Sequence, residues 1–155
     1  LDALVWMDQN GPQGPRKARK IFVAGDSSGG GMCLALILAA TNGIPGVEGK
    51  EKPPDVSIAG AVAICPLTDL TYDFKRTNYN SYKTRIWDEA SRTGDAIFTV
   101  SHGNLLKDQL DRQERIRAYA GDGDLRADLL SPLWAKSYRG LPPIMLYAST
   151  RHPCT

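Results

Sequence analysis

Six residues, Gly25-Asp26-Ser27-Ser28-Gly29-Gly30, have the types and spacing for nucleophilic chemistry at a serine. A serine flanked two residues away on each side by glycine can occupy a turn too tight for side chains at the flanks. Gly25 and Gly29 are expected to supply the missing Cβ atoms there. Such a turn holds Ser27 in a strained conformation with its hydroxyl thrust outward. The N–H of the next residue, Ser28, can then donate to an oxygen that gains negative charge as the serine attacks a carbonyl. A helix starting at this point adds the partial positive charge of its N-terminus. A phosphate cradle is disfavoured, because neither Gly-Lys-Ser/Thr nor Gly-x-Gly-x-x-Gly is present. The chemically silent alternative is a glycine-rich turn over residues 25–31 with a capping serine.

The flanking segments have the character such a turn needs. Lys20 to Ala24 is a short apolar, β-branched run and predicts a buried strand. Met32 to Thr41 is apolar nearly all round and predicts a buried helix, with Asn42-Gly43 as its C-cap. Ser57 to Cys65 predicts a second buried strand, stopped by Pro66. Strand, helix, strand implies a parallel pairing, and continuously apolar strands imply a sheet covered on both faces. Residues 2–9 predict a helix with Leu1, Leu4 and Val5 on one face, and residues 44–56 a surface loop. The polar and aromatic stretch 70–100 is read as a lid-like insertion. A helix is expected from about Asn104 to Tyr119, and a third strand over Ile144 to Ala148 after Leu141-Pro142-Pro143. The fold class is therefore α/β. Because only three strands are legible, the outer ones are expected to present unpaired apolar edges and to make the isolated chain poorly soluble.

At residues 25–30 the chain resembles the hormone-sensitive-lipase-like group of α/β-hydrolases, whose elbow reads Gly-Asp-Ser-Ala-Gly-Gly; Ser28 stands where Ala is usual. Further likeness is carried by Asp2-Ala3-Leu4-Val5-Trp6, by Ile64-Cys65-Pro66-Leu67-Thr68-Asp69-Leu70, by Tyr119-Ala120-Gly121, by Ser131-Pro132-Leu133-Trp134-Ala135 and by Leu141-Pro142-Pro143-Ile144-Met145-Leu146. The resemblance implies one partial α/β-hydrolase domain over residues 1–155, a mostly parallel sheet with flanking helices, and hydrolysis of carboxylic esters of small-molecule or lipid-like substrates. In that mechanism Ser27 attacks, a histidine takes its proton and an acid orients the histidine.

The same resemblance shows departures. The family's His-Gly-Gly loop would precede Leu1 and its catalytic histidine would follow Thr155. The position of the acid, after the strand at 144–148, holds His152 in Ser149-Thr150-Arg151-His152. A histidine cannot serve as a fixed anion. Asp69 is a substitute acid, with a turn-forming aspartate as its plainer role. The other histidine, His102, belongs to a polar turn. Upstream sequence is also expected because the chain opens inside an amphipathic pattern. Two other functions stay open: a non-catalytic small-molecule receptor, since plant gibberellin receptors resemble this family and keep Gly-Asp-Ser-Ser-Gly-Gly, and a decayed hydrolase.

Composition narrows the rest. The 155 residues carry a formal net charge of +2, and the one basic run, residues 16–20, is short, so nucleic acid is not an expected partner. Three cysteines, Cys33, Cys65 and Cys154, form no Cys-x-x-Cys pair, so neither a disulfide framework nor a metal site is expected. Cys33 and Cys65 are read as small core residues. A reducing, cytoplasmic location follows as an expectation. The longest apolar stretch, Met32 to Ala40, is too short to cross a membrane. No cofactor is called for.

Overall fold

A computed structural model describes residues 1–71 and 105–148, with side chains of the last helix described from residue 113 onward. The elements, in order, are α1 (Asp2–Gln9), β1 (Ile21–Asp26), α2 (Ser27–Asn42), β2 (Ile58–Ile64), α3 (Leu105–Ala120), a 3-10 turn (Pro132–Trp134) and β3 (Ile144–Tyr147). The lid-like insertion read at 70–100 lies outside the described residues, apart from Leu70 and Thr71.

The three strands form one parallel sheet in the order β1-β2-β3. β2 is central because both its neighbours pair with it: Val23 and Ile144 both lie opposite Ala61. Small residues at Ala61 and Ala63, 4% and 0% exposed, let α2 approach this strand closely. On that face Cys33 and Ile37 of α2 pack on Ala61, with Val23, Leu141 and Ile144 at the margin. A second cluster joins Leu4 of α1 to Ile21 and Ala40. Burying a side chain such as Ile37, which has no exposed surface, stabilises the fold by roughly 1.5–3 kcal/mol. The amphipathic face read for α1 is the one used: Leu4 is buried and Leu1 and Val5 half-buried.

One expectation about the sheet changes. Apolar strands implied cover on both faces, but among the described residues α2 covers one face alone, and even there Leu146, opposite Ala63, is 63% exposed. Side chains alternate along a strand, so Phe22, Ile64, Met145 and Tyr147 share the other face, and they are 64%, 42%, 64% and 65% exposed. The Phe22 ring lies over Gly60, where a Cβ would approach it to 3.1 Å. The free edge of β1 borders an open apolar cleft of about 630 Å³ between α2 and the side chains of Tyr119 and Leu129.

Gly43 closes α2 as expected, with φ of 77° and its N–H donating to the Ala39 carbonyl. The positive φ is one an L side chain adopts at a cost, and a Cβ there would also collide with the Glu51 carbonyl. The following loop returns to α1 through the ion pair of Lys50 with Asp2.

Candidate functional site

The glycine-rich segment is not a loop. β1 continues through Asp26 and α2 starts at Ser27, so a single residue reverses the chain. Asp26 is extended, with φ −118° and ψ 151°, and Ser27 has φ 53°. A positive φ in a residue with a Cβ costs of the order of 1–3 kcal/mol and persists only where its surroundings over-determine it. Gly25 is one such surrounding: a Cβ there would collide with the Gly29 carbonyl and lie 2.9 Å from the Gly30 nitrogen.

Gly29 departs from expectation, since a Cβ added to it would meet nothing within 4 Å. The crowded glycines are the next two. A Cβ on Gly30 would lie 3.0 Å from the Cα of Pro66, and one on Gly31 would collide with the Leu67 carbonyl. Glycine is therefore demanded inside the first turns of α2 by the segment after β2.

Ser27 and Ser28 are exposed. The Ser27 hydroxyl has no partner among the described residues. Asp26 makes no side-chain capping bond, so among the described residues no side chain caps the N-terminus of the 16-residue helix α2. The Ser28 N–H belongs to that first turn, whose amides have no acceptor within the helix. The Ser27 carbonyl is held from outside: the Leu67 N–H donates to it at 2.9 Å.

The neighbouring strand end is strained too. Cys65 has φ 42° although it precedes Pro66, where the backbone normally stays extended. Its N–H donates to the Tyr147 carbonyl at 2.6 Å. Cys65 is half-buried, so its role as a plain core residue does not hold; Cys33 is buried as expected. Burial pushes the Cys33 thiol up from its ordinary value.

Asp69 is half-buried, and its Oδ1 accepts from the Thr71 N–H at 2.9 Å, the Thr71 hydroxyl at 2.6 Å and the Trp134 indole N–H at 3.1 Å. The last two bonds were not legible in the turn sequence. Trp134 in turn lies under the Arg126 guanidinium, 4.7 Å from its ring centroid. Beside it, the Ser131 hydroxyl, fully buried, accepts from the Leu70 N–H at 2.8 Å. His102 and His152 lie outside the described residues. Among the described residues no group of His, Cys, Asp and Glu side chains could hold a metal ion, and no helix is long and apolar enough to cross a membrane.

A strained serine at a strand-to-helix junction, above the ends of parallel strands, is the arrangement against which known proteins can be compared. The model of a family described as the alpha/beta hydrolase fold matches residues 1–155. The chain belongs to the α/β-hydrolase fold family. Among solved structures, this α/β-hydrolase-fold chain is similar to an arylesterase (21% identity, TM-score 0.62, 99% of this chain and 40% of that one). It is also similar to an esterase/lipase from an uncultured bacterium (24%, TM-score 0.52, 86% and 34%). A third is EstE7, a hormone-sensitive-lipase homologue from a metagenome library (25%, TM-score 0.53, 86% and 36%). The chain thus spans between a third and two-fifths of these relatives' lengths. No curated protein matches it. The resemblance to the hormone-sensitive-lipase-like group is borne out for the chain as a whole, over residues 1–155.

Proposed function

We propose that this α/β-hydrolase carries the nucleophile of a carboxylic ester hydrolase, and that Ser27 is that nucleophile. One observation carries the proposal: Ser27 has φ 53° at the first position of an uncapped helix, with its hydroxyl exposed and unpartnered among the described residues. In acyl transfer the Ser27 oxygen attacks the ester carbonyl and its proton passes to a general base. The Ser28 N–H and the open end of α2 stabilise the oxyanion, the alcohol leaves, and water hydrolyses the acyl-serine. Gly25, Asp26 and Gly30 shape the turn, whereas Gly29 has open space around its Cα. The substrates proposed are small-molecule or lipid-like esters.

No histidine is among the described residues. The general base of this proposal therefore lies outside the described residues. His152 at the acid position fits a decayed hydrolase, and Ser28 fits a non-catalytic receptor; both make the same counter-prediction. A fluorophosphonate probe reacts only with an activated serine. Labelling that maps to Ser27 and disappears in Ser27→Ala supports the hydrolase. A folded whole protein that takes up no probe removes the catalytic assignment and favours the receptor or decayed hydrolase.

A further inference from the structure

The strain at Ser27 has to be held by something, and the described contacts trace what holds it. The Leu67 N–H fixes the Ser27 carbonyl, while Pro66 and the Leu67 carbonyl press on Gly30 and Gly31. The segment after β2 is therefore a clamp on the first turns of α2. Three hydrogen bonds tie that clamp to residues 131–134. Leu133 N–H donates to the Thr68 carbonyl at 3.0 Å, Trp134 Nε1 to Asp69 at 3.1 Å, and Leu70 N–H to the Ser131 hydroxyl at 2.8 Å. The last is buried at both ends: Ser131 is 0% exposed and Leu70 5%. A buried amide left without its acceptor is far costlier than an exposed one.

We propose that Ser131 is a positioning residue for Ser27. Its hydroxyl, with the Trp134–Asp69 bond beside it, latches residues 68–70 so that Leu67 holds the nucleophile's carbonyl and keeps Ser27 at positive φ. Asp69 on this account serves the latch through its carboxylate oxygen. The inference rests on the catalytic reading of Ser27 for its effect on rate, and on geometry alone for its effect on Leu67.

The test uses the whole protein and two readouts: amide hydrogen exchange at Leu67, and fluorophosphonate labelling resolved into probe binding and the rate of phosphonylation. Ser131→Ala should speed Leu67 exchange about tenfold and slow phosphonylation by a similar factor with probe binding unchanged, while Ser131→Thr, which keeps the hydroxyl, restores both. Trp134→Phe, which keeps a ring and loses the N–H, should move both readouts in the same direction and covers the case in which Ser131→Ala fails to fold. Ile37→Val, a core change remote from the latch, should lower stability and leave phosphonylation alone. Folded Ser131→Ala and Trp134→Phe proteins with wild-type Leu67 exchange and wild-type phosphonylation would overturn the latch. If the wild type takes up no probe, the proposed function falls and Leu67 exchange alone decides: acceleration keeps the latch and no change ends it.

Discussion

Replacing Ser27 by alanine and, separately, by glycine separates strain from chemistry. Both changes remove the hydroxyl, so both abolish covalent labelling. They differ in backbone cost. At an ordinary helical position glycine is less stable than alanine by about 0.5–1 kcal/mol. Ser27 opens α2 but has φ 53°, a left-handed conformation that costs a residue with a Cβ roughly 1–2 kcal/mol. Removing the Cβ returns that amount, and the greater freedom of glycine in the unfolded chain takes back about 0.5–1 kcal/mol. Ser27→Gly should therefore be more stable than Ser27→Ala by up to about 1.5 kcal/mol, a reversal of the helical order. At roughly 2–4 °C per kcal/mol, that is a Tm difference of up to about 6 °C. Thermal unfolding of the two variants, made in the whole protein, is the assay. An alanine variant that melts above the glycine variant would show Ser27 in an ordinary helical conformation, and the strained-nucleophile argument would fail with it.

Other outcomes follow from the same contacts. Gly29→Ala should be neutral or stabilising by up to about 1 kcal/mol in chemical denaturation, because its Cβ meets open space within a helix. Gly31→Ala should destabilise by about 1–3 kcal/mol, because its Cβ would collide with the Leu67 carbonyl and one of the two must move. The isolated 155-residue chain should bind a hydrophobic dye and self-associate through the sheet face that is exposed among the described residues, and lysine at Phe22 and Met145 should lower both signals in dye-binding and sedimentation measurements. Cys33, buried and with its thiol pushed up, should resist alkylation at neutral pH until the chain unfolds, which mass mapping along a denaturant series would show.

The elements around Ser27 were legible because their signals are local. Apolar runs at 20–24, 32–41 and 57–65 mark segments that gain by burial whatever they pack against, and the observed strands and helix fall on them within about two residues at most of their ends, the normal uncertainty of element boundaries. The exception is the start of α2, where three successive glycines predicted a turn and a helix formed. Glycine's helical penalty is small, and here close packing against Pro66 and Leu67 outweighs it.

By itself the sequence determined that a serine with glycine two residues to each side ends an apolar strand and begins an apolar helix, because steric and apolar patterns act over a few neighbouring residues. Only the tertiary structure decided which glycines are crowded, that Cys65 is strained, and that Ser131 and Trp134 hold the segment touching Ser27. Those contacts join Asp69 and Leu70 to residues 65 and 61 positions away. No local pattern in the chain encodes which distant partner will satisfy a buried N–H; that is settled when the sheet brings the two segments together.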